Sequence, residues 1–179
     1  MGLRKESLEK VIPRAASRVA FTIAISPDEK YMVASFDEGS NLDHVWLWSF
    51  EEDRWVSKLR APRIGGFVFN KEGDKIFAAG RGGGLHQFSI SDGLLTAGDV
   101  VFGLGNNANA VVLSHDEKSV FVGLNSGKGE IVEVELKTGE ILWRSPPMSS
   151  TVHEVVLLSE TRLMALHTSG DLTIWEMRK

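Results

Sequence analysis

The chain of 179 residues contains no cysteine. This absence excludes disulfide bonds, thiolate nucleophiles and cysteine-ligated metal sites. Proline is also scarce, with five residues against 18 glycines. Since glycine serves tight turns and proline-rich composition serves linkers, this balance favours a compact protein with many turns over a disordered linker.

Long apolar runs and long basic runs are missing as well. No stretch approaches the roughly 20 apolar residues of a membrane-spanning helix, and the first ten residues lack the apolar centre of a secretory signal. The 24 acidic residues outnumber the 20 basic ones, so that the net charge is −4 and no phosphate-binding surface is indicated. These absences predict a cytoplasmic protein that binds neither membrane nor nucleic acid.

A recurring turn motif divides the chain into four parts. Residues 26–30, Ser-Pro-Asp-Glu-Lys, nearly match residues 114–118, Ser-His-Asp-Glu-Lys, and related segments begin at Asn70 and Ser159. The four lead residues are separated by 44, 44 and 45 positions. Aspartate tolerates turn geometry and charged side chains favour water, so each motif predicts a hairpin turn between two strands.

Each of the four parts contains the same succession of short β-prone runs. One run precedes the turn motif, one follows it, and a third comes after a break rich in glycine or asparagine. Polar turns at Asp92-Gly93 and Thr138-Gly139 lead to a fourth run, which the last part lacks. After the first ten residues no segment has capped helical periodicity. The unit is therefore four antiparallel strands in about 44 residues.

Isolated four-stranded sheets of this size must stack, and radial stacking gives a β-propeller. The sequence predicts an all-β fold: a β-propeller of four-stranded antiparallel blades, with four blades at about 18–62, 63–105, 106–150 and 151–179. Residues 8–14 are predicted to be the closing outer strand of the last blade, where proline is tolerated at an edge. That strand could close a four-bladed ring within one chain or an eight-bladed ring between two chains.

Residues 168–176 carry the most distinctive motif, Thr-Ser-Gly-Asp-Leu-Thr-Ile-Trp-Glu. The segment Val45–Ser49 occupies the same place in the first repeat, and Ser-Pro-Asp stands at positions 26–28. These motifs resemble the WD-repeat family, whose third strand has the pattern Asp-Gly-x-Val-x-Val-Trp-Asp. The resemblance implies a non-catalytic scaffold of WD-repeat type that binds a protein or peptide.

The chain also departs from the WD-repeat pattern. No Gly-His dipeptide opens a repeat, and Phe88 and Val134 stand where the family has tryptophan. The family's Asp-His-Ser-Trp hydrogen-bond network is therefore excluded. The third repeat is similar to a quinoprotein-type propeller blade as well. Two alternatives remain: part of a larger propeller, either a homodimer or completed by another chain, and a small-ligand or enzymatic propeller.

Candidate catalytic groups are few. The five histidines include no pair at metal-ligand spacing. The predicted inner strands, residues 21–25, 67–69, 111–113 and 155–158, carry no Asp, Glu or His, although propeller enzymes place such groups near the axis. We therefore predict that the protein is not an enzyme, with no catalytic residue, no metal and no cofactor.

The loops that join blade to blade, and second strand to third strand, gather at one rim of a propeller. Loops on a rigid scaffold commonly carry binding residues, and this rim is locally basic in an acidic chain. A protein or peptide is the predicted partner, and a second copy of the chain is a further candidate. The predicted partner-binding residues of this rim are Arg18, Asp43, Arg63, Arg81, Asn107, Lys128 and His153, with Asn106 and Ser150 beside them.

Overall fold

The computed structural model describes residues 11–13, 19–36, 44–80, 84–103, 107–125 and 128–177. These residues form 15 β-strands and no helix. The described part of the chain therefore offers no apolar helix that could cross a membrane.

The strands form four consecutive antiparallel sheets, which we number as blades 1 to 4. Blade 1 contains β1 (Ala20–Ile25), β2 (Tyr31–Phe36), β3 (His44–Ser49) and β4 (Arg54–Arg60). Blade 2 contains β5 (Ile64–Phe69), β6 (Lys75–Gly80), β7 (Gly84–Ser91) and β8 (Leu94–Gly103). Blade 3 contains β9 (Asn107–Leu113), β10 (Ser119–Asn125), β11 (Glu130–Glu135) and β12 (Ile141–Arg144). Blade 4 contains β13 (Val152–Ser159), β14 (Arg162–His167) and β15 (Leu172–Glu176).

The first strands of successive blades form the inside of the fold. β1 packs on β5, β5 packs on β9, and β9 packs on β13. Each blade then continues outward in chain order through its second, third and fourth strands. This arrangement is a four-blade β-propeller, and the predicted all-β propeller fold is confirmed.

Apolar clusters between successive blades hold the sheets together. Each cluster takes side chains from both neighbouring blades, which explains why the strands carry apolar residues on both faces. Full burial of one such side chain contributes roughly 1.5–3 kcal/mol. Completely buried members of the three clusters are Leu47 and Ile76, then Leu85 and Val120, then Ile131 and Leu163.

The recurring turn motif works through local hydrogen bonds. The Ser26 hydroxyl donates to the Asp28 carboxylate at 2.7 Å and accepts from the Tyr31 backbone N–H at 2.9 Å. Blade 3 repeats the first contact, because the Ser114 hydroxyl donates to Asp116 at 2.8 Å. Each turn thus satisfies its polar groups within a few residues of the chain, which makes the motif visible in the sequence.

These contacts lead to an expected titration behaviour. The hydrogen bond from Ser26, together with Lys30, lowers the pKa of Asp28 to about 2. A lowered folded-state pKa stabilises the fold above the unfolded-state pKa, and this contribution is lost as the pH falls through about 2. We expect an NMR titration of the Asp28 carboxyl to show a midpoint near 2. Ser26→Ala should raise the midpoint, whereas Ser114→Ala should leave it unchanged. A midpoint that Ser26→Ala does not move would contradict this assignment.

The predicted closing strand, residues 8–14, lies mostly outside the described residues. Residues 11–13 are described and form no strand. The Pro13 carbonyl oxygen accepts a hydrogen bond from the indole Nε1 of Trp55 in β4 at 2.8 Å. This part of the segment therefore lies against blade 1, and its pairing with blade 4 stays a prediction.

Candidate functional site

Strand pairing places the predicted binding loops at one pole of the propeller. In blade 2, Ile64 at the start of β5 pairs with Gly80 at the end of β6, and Gly84 at the start of β7 pairs with Gly103 at the end of β8. The same antiparallel order holds in the other blades. We call the pole at which the first strand of each blade begins the upper rim.

An open cavity of about 230 Å³ lies at the upper rim. Its lining includes one residue from the first strand of every blade: Phe21, Gly65, Asn109 and His153. These residues are each 44 positions apart, so they take the same place in successive repeats. Arg63 and Ile64 complete the lining. All four blades therefore contribute to one site.

Arg63 provides the positive charge of this cavity. Its guanidinium carbon lies 3.6 Å from the centroid of the Phe21 ring, which is a close cation–π contact. Stacking uses the face of a guanidinium, whereas its N–H donors lie along the edge and suit carboxylate or phosphate oxygens. Within the described residues, no carboxylate forms an ion pair with Arg63.

Gly65 allows β5 and β9 to approach each other at the wall of the cavity. A Cβ atom at this position would lie 2.8 Å from the Cα of Asn109 and 3.0 Å from its carbonyl oxygen. Since both contacts are with backbone atoms, a larger residue would push the two strands apart. The glycine thereby brings Asn109 close to the Arg63 side of the site.

His153 enters the site because β13 is longer than the sequence predicts. The strand begins at Val152 and includes His153 and Glu154, whereas the predicted inner strand covers residues 155–158. The prediction that inner strands carry no Asp, Glu or His is therefore wrong for blade 4. A β-bulge between Val152 and Glu154 interrupts the regular alternation there, so the pattern does not reveal the start of the strand.

Two of the predicted rim residues, Arg63 and His153, meet in the cavity. Asn107 begins β9, and Lys128 is exposed between β10 and β11, so both lie at the upper rim without lining the cavity. The Ser150 hydroxyl shares a 2.8 Å hydrogen bond with the hydroxyl of Ser169 in the last blade. Outside the described residues lie Arg18, Asp43, Arg81 and Asn106.

Phe21, Gly65 and Asn109 are site residues that the sequence analysis missed. The predicted rim residues belong to loops, whereas these three residues lie on the first strands of blades 1, 2 and 3. Their spacing of 44 residues from one another and from His153 was the available signal. Moving along the sequence from His153 in steps of 44 residues would have identified the other three.

Three further cavities lie toward the opposite pole, beside the turn motifs. One of them, of about 520 Å³, lies between blades 3 and 4 and is lined partly by Asp116, Glu133, Glu135 and Glu160. Three of these carboxylates accept hydroxyl hydrogen bonds: Glu133 from Ser119 at 2.6 Å, Asp116 from Ser114 at 2.8 Å, and Glu135 from Thr138. Among the described residues no three His, Asp or Glu side chains are grouped as metal ligands.

Comparison with known proteins supports the fold without extending to function. No protein-family profile matches the sequence, and no curated protein sequence is significantly similar to it. Among solved structures, the chain is similar to the crystal structure of the computationally designed Ika4 protein, with a TM-score of 0.68 and 15% sequence identity. The match covers 99% of this chain and 100% of the designed one. The chain is thus a β-propeller by fold, while its WD-repeat resemblance rests on sequence motifs.

Proposed function

We propose that this protein is a non-catalytic scaffold of WD-repeat type that binds an acidic segment of a partner protein or peptide at the upper-rim cavity. The observation that carries the proposal is the contact of the Arg63 guanidinium with Phe21, in which the guanidinium carbon lies 3.6 Å from the ring centroid. A contact this close occupies the flat face of the guanidinium and leaves its N–H edge for other partners. A guanidinium oriented in this way is prepared for bidentate contact with a carboxylate. Asn109 and His153 add side-chain hydrogen-bond donors to the same lining.

The size of the cavity favours a peptide side chain over a free small molecule. Pockets for drug-sized ligands commonly occupy roughly 300–1,000 Å³, whereas this cavity measures about 230 Å³. That space suits one acidic side chain whose backbone runs over the rim. The open rim then leaves room for the rest of the partner.

The composition of the lining supports a role in binding. Catalysis by nucleophile or by general acid and base needs such a group beside a second group that activates or orients it. The lining consists of Phe21, Arg63, Ile64, Gly65, Asn109 and His153. His153 is the one side chain of this lining that could serve as a general base, and the lining provides no carboxylate or hydroxyl to act with it.

A fluorescein-labelled peptide of alternating glutamate and glycine tests the proposal by fluorescence anisotropy. We expect it to bind, with affinity that falls as salt is added, while the glutamine and lysine analogues do not. Arg63→Ala should weaken binding by about tenfold or more, the scale of one charge-assisted hydrogen bond.

Arg60→Ala is the matched control, because Arg60 is exposed at the end of β4 on the same pole and does not line the cavity. It removes the same charge and should leave the affinity within about twofold, since a distant exposed charge is screened. Equal binding of the glutamate and glutamine peptides would refute the proposal. Equal losses in the two arginine variants would show that only net charge matters.

A further inference from the structure

Blade 1 is the first blade in chain order, and part of its outward-facing end surface is apolar and exposed. Each blade has a front face toward the preceding blade and a back face toward the following one. On the front of blade 2, Phe67 and Phe69 are buried against blade 1, with 9% and 8% of their surface exposed. The equivalent residues of blade 1, Ile23 and Ile25, are 60% and 52% exposed. The inner strand of blade 1 therefore presents part of a blade-to-blade interface to solvent, whereas Met32 and Trp48 of the same face are buried.

The last blade presents the complementary half. On the back of blade 1, Val45 and Leu47 are completely buried against blade 2. Ile174 takes the place of Leu47, because Ile174 pairs with Met164 as Leu47 pairs with Val33. Ile174 is 55% exposed, and Leu172 beside it is 62% exposed. Surface of this kind, contiguous and apolar, indicates an interaction site.

The two exposed faces do not cover each other within one chain. β1, β5, β9 and β13 pack in succession, and in the described part of the chain β1 and β13 share no contact as extensive as those between successive first strands. The exposure of Ile23 and Ile174 shows that blade 4 does not cover this part of blade 1 within one chain. Both faces remain available to a partner whose surface has the shape of a blade.

We propose that a second copy of this chain covers both faces, so that two chains form one closed eight-blade ring. Blade 4 of each copy packs on blade 1 of the other, with the same front-to-back contact that joins blades inside the chain. A second copy is the occupant that supplies both missing halves at once, and twofold repetition of this head-to-tail contact closes the ring. Propellers of up to eight blades are common.

The contacts of Trp55 place Pro13 near the front face of blade 1. Trp55, which donates to the Pro13 carbonyl oxygen, pairs with Trp48 on the neighbouring strand, and their rings meet edge to face at 5.3 Å. Trp48 lies on the front of blade 1, because it pairs with Met32 as Phe88 pairs with Ile76 in the front-face cluster of blade 2. The segment thus reaches the face on which the partner's last blade packs.

The interface between blades 1 and 2 shows how the outer strands of neighbouring blades contact each other. Between blades 1 and 2 the outer strands meet, and the Leu95 N–H of β8 donates to the Ser57 hydroxyl of β4 at 3.0 Å. By the same geometry, the outer strand of the preceding blade lies beside the front of blade 1. Residue 13 already occupies that neighbourhood, next to the position where the partner's blade 4 needs an outer strand. Pro13 therefore lies at the edge of the proposed interface between the two copies.

Solution mass and one variant on each face test the ring. Sedimentation equilibrium of the full chain should give twice the 19.7 kDa of one chain. Ile23→Asp on the front of blade 1 and Ile174→Asp on the back of blade 4 should each give monomers, because each change places a charge in both interfaces of the ring. Leu94→Asp is the matched control, since Leu94 is 57% exposed on the outer strand of blade 2. This variant should remain dimeric.

Mixing the two face variants distinguishes the ring from other assemblies. A mixed pair has one unaltered interface, formed by blade 4 of the Ile23→Asp chain and blade 1 of the Ile174→Asp chain. Dimers should therefore return on mixing, although neither variant dimerises alone. Circular dichroism of each variant should show an unchanged β spectrum, since both positions are more than half exposed in a single chain.

Cross-linking tests the two-chain ring independently if a charged variant fails to fold. Because the chain has no cysteine, the double variant Ile23→Cys with Ile174→Cys carries thiols on the two faces alone. A short bis-maleimide should convert it to a covalent dimer, whereas Ile23→Cys with Leu94→Cys should stay monomeric on a denaturing gel. Four results would overturn the proposal: a monomeric full chain, an assembly larger than a dimer, a face variant that still dimerises alone, or a double-cysteine variant that does not cross-link.

Discussion

Deletion of residues 1–15 is expected to lower the melting temperature by about 4–8 °C. The deletion removes the hydrogen bond from the Trp55 indole to the Pro13 carbonyl oxygen and the partly buried side chain of Ile12. One hydrogen bond and one partly buried aliphatic side chain together contribute about 2 kcal/mol. A loss of 1 kcal/mol shifts the melting temperature by roughly 2–4 °C in a protein of this size. Differential scanning calorimetry measures the change.

Deletion of residues 1–7 is the control, because it leaves the predicted strand at residues 8–14 in place. This shorter deletion should change the melting temperature by less than about 2 °C, as removal of a terminal tail usually does. If the longer deletion leaves both melting temperature and solution mass unchanged, residues 8–14 contribute no strand. If it lowers stability and also converts dimers into monomers, the strand is exchanged between the two copies.

Gly129→Ala is expected to cause a loss of comparable size at the upper rim. Gly129 has a φ of +44°, and a Cβ atom there would lie 1.9 Å from the Ser150 carbonyl oxygen. That overlap involves backbone, so relief requires movement of the loop against the linker between blades 3 and 4. The same linker donates a hydrogen bond from the Met148 N–H to the Gly129 carbonyl oxygen at 2.9 Å. We expect a loss of about 3 kcal/mol or more in chemical denaturation.

Gly170→Ala separates backbone strain from steric overlap. Gly170 also has a positive φ, +89°, but no heavy atom lies within 4 Å of a Cβ built there. Its replacement should cost only the strain of the left-handed conformation, about 1–2 kcal/mol. If the two alanine variants lose equal stability, the close approach between Gly129 and Ser150 does not constrain the protein.

The repeat and its turns could be predicted from the sequence because their interactions are local. The Ser26 hydroxyl, the Asp28 carboxylate and the Tyr31 N–H lie within six consecutive residues. Such contacts depend on the chain only through neighbouring positions, so blade 3 reproduces them with Ser114, Asp116 and Ser119. The alternation of four apolar runs then determined that the protein would be all β and that its sheets would stack.

The candidate site depended on contacts between distant repeats. Phe21 and Arg63 are 42 positions apart, and they meet because β1 packs on β5 at the upper rim. The inclusion of His153 required the bulge that lengthens β13. Neither the stacking of two strands nor a bulge has a local signature in a single sequence, so tertiary structure alone brought these residues together.

Closure of the ring was likewise beyond the sequence. Isoleucine at positions 23 and 174 suits burial equally well in a four-blade or an eight-blade ring. Apolar patterning shows which face of a strand is covered, but it does not show the angle between successive blades. That angle is the sum of many side-chain contacts in three interfaces. Only the packed structure showed that both of these residues stay more than half exposed in one chain.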